Sequence, residues 1–109
     1  MRAFLTFAAL LLSGSLASAG TKIMVCTGIN AEVRVAIFRA ENGALAAVAT
    51  GRTETKRFQN YTYRISAQEN AEALYFWSDK IELAVRANGP SHLSILPLNL
   101  ETDVVCERL

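Results

Sequence analysis

Glu32-Val33-Arg34-Val35-Ala36-Ile37-Phe38-Arg39, followed by Glu41-Asn42-Gly43, is the stretch that decides the fold. Val33, Val35 and Ile37 recur every second residue, and the residues between them are mostly polar or small. A period of two places one set of side chains on one face of a strand. Asn42-Gly43 is a strong hairpin signal, because both residue types tolerate positive φ. Residues 44–50 return as a second strand, although their alanines also suit a helix. Gly51 breaks that segment.

Further along, the pattern repeats in short pieces. Residues 53–58 are polar and β-branched, which predicts an exposed strand. Gln59-Asn60 is expected to turn the chain into a further alternation over residues 61–65. Residues 66–73 suit a loop or one helical turn. Residues 74–77 form a short apolar strand, and residues 80–86 alternate with Ile81, Leu83 and Val85 inward. Asn88-Gly89-Pro90-Ser91 is a turn cluster. Residues 92–100 read as a strand whose Pro97 predicts an edge or a bulge. Residues 22–26 and 104–106 supply the first and last strands. The expectation is an all-β domain, a small antiparallel barrel or sandwich of about eight strands.

The chain has 109 residues, 51% of them hydrophobic and 19% charged, which suits one small domain. Its start is different in kind. Met1-Arg2 is a basic opening, Ala3 to Leu12 is apolar except for Thr6, and Ala17-Ser18-Ala19 is a small-x-small triplet. These are the three regions of a secretory signal peptide over residues 1–19, cleaved near Ala19-Gly20. The run is too short for a permanent span, which needs ~20 apolar residues. Val25 before Cys26 is also a poor context for lipid attachment. The expected product is a periplasmic or secreted domain over residues 20–109, with no stable membrane anchor.

Residues 20–109 carry ten basic and ten acidic side chains. That balance argues against nucleic acid, which demands a basic surface. Cys26 and Cys106 are the two cysteines, and in an exported chain they predict one disulfide. Closing a loop of that length stabilises by roughly 4–5 kcal/mol in the chain-entropy model.

The residues that carry catalysis are sparse. His92 is the single histidine, and no nucleophile elbow surrounds a serine. It is expected to be an exposed strand start. There is no CxxC, no HExxH and no phosphate-cradling glycine loop. The expectation is a non-enzyme without cofactor or metal. Arg52, Lys56, Arg57 and Arg64 form a basic stretch in which Phe58, Tyr61 and Tyr63 read as core.

A loop serine in Ile65-Ser66-Ala67, then Phe76-Trp77-Ser78 followed by Lys80, resembles the periplasmic inhibitors of C-type lysozyme. Those proteins are small eight-stranded barrels with a cysteine near each end. The resemblance implies that Ser66 and Lys80 enter the lysozyme cleft and meet its catalytic carboxylates, beside Trp77. Two departures stand out. Ala67 and Gln68 follow Ser66 in place of the family's loop, and Asp79 displaces Lys80 by one residue. On a strand, such a shift reverses the face a side chain occupies.

The function expected is therefore a secreted non-catalytic binding protein whose partner is another protein, with C-type lysozyme as the candidate. The alternatives are a cell-envelope assembly module pairing through an edge strand, at residues 53–58 or beside Pro97, and a barrel holding a small ligand.

Overall fold

A computed structural model of the protein describes residues 20–109. The proposed export signal lies outside these residues. Eight strands run in chain order: β1 (Thr21–Gly28), β2 (Glu32–Arg39), β3 (Leu45–Arg52), β4 (Arg57–Glu69), β5 (Ala73–Trp77), β6 (Ile81–Arg86), β7 (Ser91–Ile95) and β8 (Leu100–Arg108). Each pairs antiparallel with its sequence neighbour, and β8 pairs with β1, so the sheet closes into a barrel. Cys26 and Cys106 are direct partners across that closing seam and form the expected disulfide.

The alternation read in the sequence sets the interior. Val33, Val35 and Ile37 of β2 are buried, as are Ile81 and Leu83 of β6. Leu93, Ile95, Leu100 and Val104 complete the far wall. The alanines of β3 belong to a strand, and their neighbours explain why they are small. Ala49 lies between Val35 and Tyr61, and Ala47 between Ile37 and Tyr63. Two large residues flank each alanine, so a larger side chain there would overfill the barrel. These side chains pack together in the barrel interior.

Several local expectations need correction. Residues 53–56 are a turn rather than a strand. Thr53 N donates to Lys56 O at 2.8 Å, and Thr53 Oγ1 accepts from Thr55 N and donates to Lys56 O. Such hydroxyl-to-backbone bonds compete with a ladder. Gln59-Asn60 does not end a strand but interrupts β4 with a bulge. Asn60 takes φ 55°, and its N–H donates to Thr50 Oγ1 at 3.0 Å. Asparagine adopts this left-handed conformation more readily than most residues.

Residues 66–69 continue β4 in place of the expected loop. The turn comes after them, where Asn70 Oδ1 accepts from Glu72 N and Ala73 N. Residues 92–100 are not one strand. Pro97 lies in a short 3-10 turn (Leu96–Leu98), and Asn99 at φ 49° redirects the chain into β8. Of the expected edges, the one beside Pro97 is lost because β7 is paired by both β6 and β8, whereas residues 57–58 of the 53–58 segment open β4 and pair with β3.

Candidate functional site

β4 is the longest strand, and it changes partner midway. Its rungs with β3 end at Leu45 opposite Ile65, and its rungs with β5 begin at Ser66 opposite Trp77. Phe76 is buried, so its neighbour Trp77 points outward, with Ser66 beside it. Trp77 is 40% exposed, large for its residue type. A concave notch of about 440 Å³ opens here, lined by Arg64, Ile65, Ser66, Trp77, Ser78 and Asp79.

The turn after β5 forms one lip of the notch. Ser78 N donates to Ile81 O at 2.8 Å, and Lys80 N donates to Ser78 Oγ at 3.1 Å. Leu96 N donates to Lys80 O at 2.8 Å, tying the turn to the 3-10 segment. These bonds hold the lip without a large core contact, because residues 78–80 are all at least partly exposed.

The predicted site residues are thus brought together in part. Ser66 and Trp77 are cross-strand partners on the outer face. Lys80 is exposed on the same turn but does not line the notch, where Asp79 stands instead. Arg64 supplies the cation inside the notch. It was visible in the basic stretch, but only the partner switch of β4 reveals its position.

His92 stands at the start of β7, as expected, but it has partners. It lies in β7, half-buried, between two carboxylates of β8. Its Nδ1 is 3.1 Å from Asp103 Oδ1, and its Nε2 is 3.0 Å from Glu101 Oε1. The bond to Asp103, then the bond to Glu101, raises the imidazole pKa above its ordinary value, against a smaller lowering by burial. The two acids hold opposite edges of the ring, so the three groups share no common point for a metal. Among the described residues no group of three such side chains is placed to hold one. Among the same residues no helix is long and apolar enough to cross a membrane.

Charge is distributed unevenly over residues 20–109, although it sums to zero there. Residues 20–68 carry seven basic and three acidic side chains, and residues 69–109 carry three basic and seven acidic. Strand order around the barrel follows the sequence, so the two halves of the chain are two sides of the molecule. β1 to β4 present a basic side, and β5 to β8 an acidic one. Such segregated charge steers encounter with charged partners despite a neutral total.

No family model, curated protein or solved structure matches the chain.

Proposed function

We propose that the protein is an exported, non-catalytic binding protein that contacts another protein through the notch at Ser66 and Trp77. The specific form of this reading is inhibition of C-type lysozyme. The observation that carries it is the direct pairing of Ser66 with Trp77, both exposed, where β4 changes partner. A hydroxyl, an aromatic rim and the Arg64 cation meet on rigid strands there. An exposed aromatic beside a cation is the composition of an interface anchor. A cation and a hydroxyl together match the two carboxylates of a glycosidase cleft.

The test is lysozyme activity measured with a molar excess of the purified protein. Inhibition is expected, weakened by Ser66→Ala and by loss of a cation in Arg64→Ala or Lys80→Ala. Undiminished lysozyme activity at high excess would sink the inhibitor form.

A second reading has one observation in its favour. Residues 57–65 of β4 pair with β3 on one side, while the rungs with β5 begin only at Ser66. Among the described residues no strand pairs with their other flank, which suits strand addition by an envelope partner. Cross-linking in the native envelope tests it: a partner attached at Thr62 supports an assembly module, and a purely monomeric product opposes it.

A further inference from the structure

The acidic side of the barrel carries a second concavity, outside the notch. Tyr75 and Trp77 alternate on β5, so both point outward about 7 Å apart along the strand. They are 36% and 40% exposed. Across the ladder, Tyr75 faces Ala84 on β6 and Trp77 faces Glu82. The alanine leaves space beside the tyrosine ring, and the carboxylate stands beside the indole. Gln68 flanks Tyr75 from β4, and His92 flanks Ala84 from β7. Together these side chains line a groove of about 350 Å³.

We propose that this groove is a binding site for a cationic side chain, the guanidinium or ammonium group of a basic protein partner. Aromatic faces attract such cations through the ring quadrupole. Glu82 offers the carboxylate that pairs with them, in bidentate fashion for a guanidinium. The surrounding half of the chain has an excess of four acidic charges, counting seven acids against three bases. Glu101 and Asp103 flank His92 on the same outer face, and two carboxylates on one imidazole leave that cluster net acidic even when the ring is protonated. A neutral sugar would stack on the same rings but would gain nothing from this charge. The volume is at the small end for ligand sites and suits the tip of one side chain rather than a whole cofactor. The groove shares Trp77 with the notch, but its reading does not depend on lysozyme being the partner.

Trp77 is the only tryptophan, so its fluorescence reports this site directly. The experiment titrates the purified protein with a hexa-arginine peptide, with hexa-glutamate and cellohexaose as comparisons. A saturable change in emission is expected with hexa-arginine alone. Glu82→Gln, which keeps the side-chain shape, weakens that response at least fivefold, and Tyr75→Ala does the same. Arg64→Ala, in the notch, leaves it within twofold. The proposal is overturned by the absence of a saturable response to hexa-arginine. It is equally overturned by a response unchanged in both Glu82→Gln and Tyr75→Ala, or by saturation with cellohexaose in place of the peptide. Lysozyme inhibition is measured separately, so failure of either reading leaves the other standing.

Discussion

Ala49 of β3 stands directly opposite Tyr61 of β4, with Val35 on its other side. The alanine is fully buried, and the tyrosine fills the space that the small side chain leaves. Ala49→Leu therefore overpacks the barrel. It is expected to cost about 1–3 kcal/mol of stability, the usual range for added methylenes in a filled core. Urea unfolding measures this, and an unchanged midpoint would mean that the interior has room to spare.

Gly51 is constrained by contact rather than by backbone angle. A Cβ at this position would meet Glu32 O at 2.3 Å and Val33 Cα at 2.8 Å, both backbone atoms of β2. Backbone cannot swing aside as a long side chain does. Gly51→Ala is expected to destabilise by roughly 1–3 kcal/mol through overpacking. Gly43, at φ 89° with open space around it, loses stability on the same substitution through backbone conformation alone. Thermal unfolding of the two variants checks both, and a neutral Gly51→Ala would contradict the close approach of β2 and β3.

The double variant Cys26→Ala/Cys106→Ala removes the link across the β1–β8 seam. A loss of roughly 2–5 kcal/mol is expected, as for native disulfides of small secreted domains. The reduced wild-type protein should unfold at a similarly lowered denaturant concentration. Equal stability of the oxidised and reduced forms would show that the ladder alone holds the seam.

His92 gives the stability a pH dependence with a definite sign. Its folded pKa is raised above the ordinary 6.5, first by Asp103 and then by Glu101. The stabilisation is present in full below the unfolded value and is lost as pH rises through the folded one. Solvent screens this partly exposed cluster, so the effect is modest. As the only histidine, it has one proton-resonance titration to follow. The midpoint is expected above 6.5, with a larger drop in Asp103→Asn than in Glu101→Gln. A midpoint at or below 6.5 would rule out the paired geometry.

Legibility followed the range of the interactions involved. Residues 33–37 and 81–85 announced themselves because a strand's period lies within the strand. The disulfide followed from cysteine number and the expected export. The alanines of β3 were ambiguous because their reason lies across the ladder, in Tyr61 and Tyr63. The bulge at Asn60 resembled a turn because the same left-handed preference serves both. The notch was hidden for a further reason. Ser66 and Trp77 were legible as candidates, but their contact arises where one strand trades partners, which no local pattern records. Net charge concealed the opposed basic and acidic sides until the strand order was known.

The Cys26–Cys106 link also changes what a cut in the chain can do. Seven hairpin or turn connections join successive strands, and sulfur joins the last strand to the first. From Cys26 round to Cys106, the backbone and the disulfide form one covalent ring. Cleaving one peptide bond within it, at Asn42-Gly43 for instance, opens the ring without releasing a fragment. A singly nicked protein should therefore migrate as one species without reductant and separate into two only after reduction. If the domain is exported, as proposed above, such tolerance of a first cut would extend its working life among proteases.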